Sequence, residues 1–176
     1  MSGWDNAPEY GAMRRWSTIG AYVGVFLLVL AVATCSGASR ADSSTEIVGV
    51  ASVIDGDTIE IHGTRIRLSG IDAPEHDRRC GSLRPSQQSA LALDDLVRGR
   101  SLRCEVSGLD HYGRSVATCF VGNTDIDGVM VEQGQARDWP RYSHRAYAAQ
   151  EQAARNARRG VWAQACPGLW GDRNYD

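Results

Sequence analysis

The chain has 176 residues, 43% hydrophobic and 23% charged, which suits one globular domain with a flanking segment and excludes both a disordered chain and two full cores. The formal net charge is −2, and outside residues 1–41, which hold three arginines, Asp5 and Glu9, 16 arginines face 19 acids. Bulk charge therefore offers nucleic acid no general attraction. The chain has no lysine, so any phosphate contact must use forked guanidinium groups rather than point charges.

In chain order, the first feature is apolar. No charged residue occurs from Trp16 to Ser39, and "IGAYVGVFLLVLAVATC" follows Arg14 and Arg15. Those 24 residues would span roughly 36 Å as a helix, enough to cross a bilayer. Arginines ahead of such a run keep the N-terminus inside and send the remainder across. Residues 1–35 therefore read as a signal peptide or membrane anchor, with Met13 an alternative start. Residues 36–46, "SGASRADSSTE", read as a linker. The protein is expected outside the cytoplasmic membrane: periplasmic, secreted or anchored.

The folded domain is expected over residues 47–165. "IVGVASVI" and "TIEIHGTRIRLSGI" alternate apolar and polar residues, broken by Asp55-Gly56 and His62-Gly63, which predicts three antiparallel strands. Ala90, Leu93 and Val97 stand at helical spacing, predicting a helix over 86–98 that stops at Gly99. A second strand pair falls within 101–121, and a short helix over 126–133. A longer helix over 144–159 would take Ser143 as its cap, Arg158 and Arg159 in its last turn and Gly160 after it. Residues 166–176 form a tail. Five strands with three helices, the first inserted after the third strand, predict a mainly β, α+β domain: a small, partly open five-stranded β-barrel of the OB type.

Export permits disulfides. Cys104 and Cys119 lie in two apolar stretches joined by a turn and are expected to bond across paired strands. Cys80 and Cys166 are the remaining pair. No CxxC spacing suggests metal binding.

Residues 53–75 carry the chemistry. Asp57 and Asp72, at a hairpin turn and a strand end 15 residues apart, are candidate ligands for a hard cation such as Ca²⁺. Glu75 follows Asp72 by three positions, Arg67 precedes it by five, and Arg114 sits between the later strands. Two carboxylates for a cation, one as base and two guanidinium forks make a set suited to phosphodiester attack.

"VIDGDTIEI", "RIRLSGIDAPE", "DHYGR" and "RGVW" resemble, in order, the staphylococcal nuclease family. The resemblance implies a Ca²⁺-dependent nuclease cleaving DNA and RNA with the 5′-oxygen leaving. Asp57, Asp72 and the carbonyl of Ala73 would hold the ion, Ala73 standing where the archetype has Thr. Glu75 would be the general base, needing no tuning if its pKa is near the ordinary 4.3. Arg67 and Arg114 would stabilise the phosphate, and Tyr112 and Tyr142 would contact the terminal nucleotide. Pro140 replaces a second active-site tyrosine of the archetype, leaving Trp139 as a substitute platform.

The competing expectation is a non-catalytic OB module that binds nucleic acid or a partner at the cell envelope. His62, His76, His111 and His144 receive no catalytic role. Arg155, Arg158 and Arg159 read as a solvated helix face, and Trp162 and Trp170 as packing residues. Nothing in the sequence asks for more than a monomer.

Overall fold

A computed structural model describes residues 45–171. The expected leader at 1–35 lies outside the described residues, as does nearly all of the linker. Among the described residues no helix is long and apolar enough to cross a membrane.

The first expected strand is two: β1 spans Thr45–Val50 and β2 spans Ser52–Asp55. They diverge because β1 pairs with β6 (Ser101–Leu109), while β2 pairs with β3 (Thr58–Ile61). β3 continues into β4 (Thr64–Leu68) through the two-residue turn His62-Gly63, whose φ values of 51° and 80° are those of a tight hairpin. β7 (Ser115–Val121) pairs antiparallel with β6 and parallel with β4. The order β1-β6-β7-β4-β3-β2 begins and ends on segments separated only by Ala51, and the mixed sheet forms a half-barrel. A second, two-stranded sheet joins β5 (Ile71–Asp72) to β9 (Arg137–Asp138), and β8 (Thr124–Asp125) adds to β7.

Four helices occur among the described residues: α1 (Pro85–Val97), α2 (Ile126–Glu132), α3 (Pro140–Ser143) and α4 (Ala148–Asn156). The architecture is thus α+β and of the OB type, with more and shorter segments than the five strands and three helices expected. Ile59, Ile61, Ile66 and Leu68 of the β3–β4 hairpin fill the core against Leu93 and Val97 of α1 and Met130 and Val131 of α2. Each such side chain contributes about 1.5–3 kcal/mol on full burial. α2 is capped by Asp125, whose Oδ1 accepts from the amides of Asp127 and Gly128.

The helix expected over 144–159 is broken. His144 and Arg145 take left-handed φ values of 52° and 67°. Ser143 Oγ accepts from the Arg145 amide at 2.9 Å, so it closes a turn rather than capping a long helix. The cause is tertiary: Tyr147 is buried against the core and donates its hydroxyl to Asp125 Oδ2 at 3.0 Å, which fixes the chain just before α4 begins.

Cys104 and Cys119 face each other in the β6–β7 register with Cα atoms 4.1 Å apart and are bonded, as the strand pattern predicts. Cys80 is bonded to Cys166, with Cα atoms 5.5 Å apart.

Candidate active site

The charged residues gather at the end of the half-barrel where β2 turns into β3. Asp55 Oδ1 accepts from the Asp57 amide at 3.1 Å, a side-chain turn that presents the Asp57 carboxylate. Gly56 is required by space: a Cβ there would run into Ser89 of α1 and come within 2.8 Å of Ala73 Cβ. That close approach sets Asp57 beside the exit of β5, where its Oδ2 accepts from the Ala73 amide at 2.8 Å. Ala73 thus meets the Asp57 carboxylate through its N–H.

Arg67 faces Thr58 in the β3–β4 register and is 9% exposed. Its Nη2 lies 3.0 Å from Asp57 Oδ2 and 3.5 Å from Asp72 Oδ1, and donates to the Ile71 carbonyl at 2.9 Å. Its Nη1 donates to the Leu68 carbonyl at 3.1 Å. Asp72 is completely buried, so this guanidinium neutralises a carboxylate that solvent does not reach.

Parallel pairing of β4 with β7 sets Ile66 against Ser115 and Arg67 against Val116, which brings Arg114 to the same end of the sheet. Arg114 donates from Nε to Asp110 Oδ2 at 2.6 Å and from Nη1 to Thr58 Oγ1 at 3.5 Å. Thr58 Oγ1 in turn donates to Asp57 Oδ1 at 3.2 Å, linking the second arginine to the first acid. Burial pushes the Asp110 carboxyl up, but hydrogen bonds from the Arg114 amide and side chain and the Tyr112 amide outweigh it and hold the group below its ordinary value. Asp110 has no role in the reading of "DHYGR" from the sequence. An Asp opening a tight turn four positions before an Arg is the signal that would have found it.

A cavity of about 470 Å³ is lined by Arg67, Arg114, Asp110, His111, Trp139 and Tyr142. Trp139 and Tyr142 meet edge to face, ring centroids 4.7 Å apart. Tyr112 lies elsewhere: 74% exposed, it lines an adjoining open groove of about 670 Å³ with Arg65 and Arg114. The Arg114 guanidinium borders both spaces and stands 5.5 Å from the Tyr112 ring centroid.

Residues 65–164 match the family model of staphylococcal nuclease homologues. The chain belongs to the staphylococcal nuclease family. Among its relatives, the succinoglycan biosynthesis protein ExoI of Rhizobium meliloti (strain 1021) is 40% identical over 82% of this chain and 75% of its own length. An uncharacterized endonuclease of Haemophilus influenzae is 32% identical over 84% of this chain and 77% of its own. The probable staphylococcal-like nuclease CAN2 of Oryza sativa subsp. japonica is 38% identical over 58% of this chain and 27% of its own.

Within this staphylococcal nuclease fold, Glu75 is half-buried, close enough to Asp57 and Arg67 to feel both charges. Burial raises its pKa, the Asp57 and Asp77 charges raise it further, and Arg67 and Arg78 lower it, leaving the group above its ordinary value. The expectation of a Glu75 with an ordinary pKa is corrected by this crowding. Asp55 is likewise raised, by burial and then by Asp57.

Among the described residues no three His, Cys, Asp or Glu side chains converge as a metal cluster. The expected set, two carboxylates and a carbonyl, does not require one. Asp57 and Asp72 already meet at a single cationic atom, Arg67 Nη2, and a donor set made only of oxygen fits a hard cation.

Proposed function

We propose that this protein is an exported, monomeric, Ca²⁺-dependent nuclease that hydrolyses phosphodiester bonds of DNA and RNA. The observation that carries the reading is the convergence of Asp57 and Asp72 on Arg67, with Arg114 joined to Asp57 through Thr58 and both arginines lining one cavity. The family, and relatives named as nucleases and endonucleases, support it. Export rests on the apolar run at residues 16–39.

Asp57, Asp72 and the Ala73 carbonyl would hold Ca²⁺, which supplies positive charge to the phosphate ester when bound. Glu75 takes a proton from the attacking water, and its raised pKa makes the carboxylate a stronger base than a solvated Glu. Arg67 and Arg114 donate to the non-bridging phosphate oxygens as charge builds there, and neither can lose its proton. Tyr142, Trp139 and Tyr112 offer ring faces and edges to the flanking nucleotide.

The test is incubation of the protein with plasmid DNA and with RNA, in Ca²⁺ or in EDTA. Cleavage in Ca²⁺ alone is expected, and Glu75→Gln should cut the rate on the order of 10²- to 10³-fold while leaving the thermal midpoint nearly unchanged. Binding without cleavage in either condition would transfer the protein to the class of non-catalytic OB modules.

A further inference from the structure

Residues 166–171 lie past the end of the family match at residue 164, yet they close directly on the proposed base. The Leu169 carbonyl accepts from the Glu75 amide at 2.9 Å, and the Leu169 side chain is only 2% exposed. A Cβ on Gly171 would stand 3.5 Å from Glu75 Cγ and 3.6 Å from its Oε1, so the tail also borders the carboxylate side chain. The Trp170 ring receives the Arg137 guanidinium at 5.3 Å and lies 5.7 Å from the Trp162 ring. Arg137 is the β9 partner of Asp72.

Glu75 itself stands just outside β5, at the start of a loop that includes two local contacts, Arg78 N to the Glu75 carbonyl and the Cys80–Leu83 bridge. That loop has one covalent tie to the tail, Cys80–Cys166, which spans 86 positions of sequence. The anchor therefore reaches Glu75 from both ends of the loop: through β5 on one side and through the disulfide-held tail on the other.

We infer that residues 166–171 are a positioning strap for Glu75, with Leu169 as its anchor, and that hydrolysis depends on the Cys80–Cys166 disulfide that holds the strap down. The inference rests on the reading of Glu75 as general base. A carboxylate must stand within hydrogen-bond reach of the attacking water, and displacement by about 1 Å costs on the order of 10²-fold in rate. Both cysteines of this bridge are half-buried, whereas Cys104 and Cys119 are completely buried. Mild reductant therefore reaches the strap before it reaches the barrel.

The experiment compares the full chain with Cys80→Ser/Cys166→Ser and with Gly171→Val, which puts a branched side chain at a left-handed φ of 64° beside Glu75, straining the strap while leaving the disulfide intact. Hydrogen exchange followed by mass spectrometry on the peptide around Glu75 reports the strap without reference to activity. Exchange there should quicken about 10-fold in the cysteine variant while core peptides stay protected. On an oligonucleotide in Ca²⁺, kcat should fall about 10-fold or more in both variants with KM within about two-fold. In a Glu75→Gln chain, removal of the disulfide should change the residual rate less than about two-fold, because the strap acts through that carboxylate. Unchanged exchange around Glu75, a loss confined to KM, or an equal loss of rate in the Glu75→Gln chain overturns the inference. A wild-type chain that cleaves nothing in any divalent cation overturns the catalytic dependence together with the nuclease reading, and the exchange result then decides the strap contact by itself.

Discussion

Arg67 and Arg114 line the same cavity from neighbouring elements, but the protein surrounds them differently. Arg67 is almost wholly enclosed, and its donors run to two acids and to the carbonyls of Asp57, Leu68 and Ile71, all within one corner of the half-barrel. Arg114 is partly exposed, and its main partner, Asp110, belongs to its own turn. A buried guanidinium ringed by acceptors is preorganised and structural at once, since removing it breaks an ion pair with a buried carboxylate. An ion pair within an exposed turn adds little to stability, and its members are freer to turn toward a ligand.

Arg67→Ala tests that contrast most severely. It should lose at least 10²- to 10³-fold in hydrolysis and also about 3–5 kcal/mol of stability, because the enclosed ion pairs of Arg67 with Asp57 and Asp72 are both broken. The ion pairs at 3.0 and 3.5 Å add a folding cost that the residue types alone do not reveal. Urea unfolding beside a plasmid assay separates the two losses. A variant as stable as wild type would mean that Arg67 is not the counter-ion of Asp72.

Arg114→Ala is the matched experiment. The rate should again fall on the order of 10²-fold, yet the unfolding free energy should shift by no more than about 1 kcal/mol, the worth of a partly exposed pair. If both variants destabilise equally, the difference in enclosure has no energetic meaning and the comparison fails.

How much of this was legible beforehand follows from the range of the forces involved. The His62-Gly63 turn, the α1 stripe of Leu93 and Val97 and the bonded pair Cys104–Cys119 depend on neighbours in sequence or on the next strand, and their patterns predicted them. The division of the first strand at Ala51 was not visible, because it is decided by which distant strand each half meets. The broken helix at His144 follows from Tyr147 reaching Asp125, a contact that propensity does not encode. At the site, residue type and motif singled out Asp57, Arg67, Asp72, Glu75 and Arg114, and the fold brings these five to one end of the half-barrel. Leu169 was not, since its role arises only once a disulfide brings residue 166 back to residue 80.

A second pair of buried groups sharpens the lesson of the arginines at smaller amplitude. Asp72 and Asp127 are both completely buried, but Asp127, near the start of α2, forms no ion pair among the described residues and accepts from the Ser69 amide at 3.2 Å. Burial, and after it the charge of Asp125, push the Asp127 carboxyl well above its ordinary value. The fold thus holds the Asp127 proton to higher pH than the unfolded chain does. The stability this group contributes is complete below the unfolded carboxylate range near pH 3.9, and is lost as pH rises through the raised folded value. Asp127→Asn imitates the protonated form and cannot lose it, so the variant should gain on wild type as pH rises, by something on the order of 1 kcal/mol. Urea midpoints of both proteins at acidic and at mildly alkaline pH measure that gain as a difference of slopes, which cancels any constant cost of the amide. A wild-type chain that instead gains on the variant with rising pH would show that Asp127 is held as an anion.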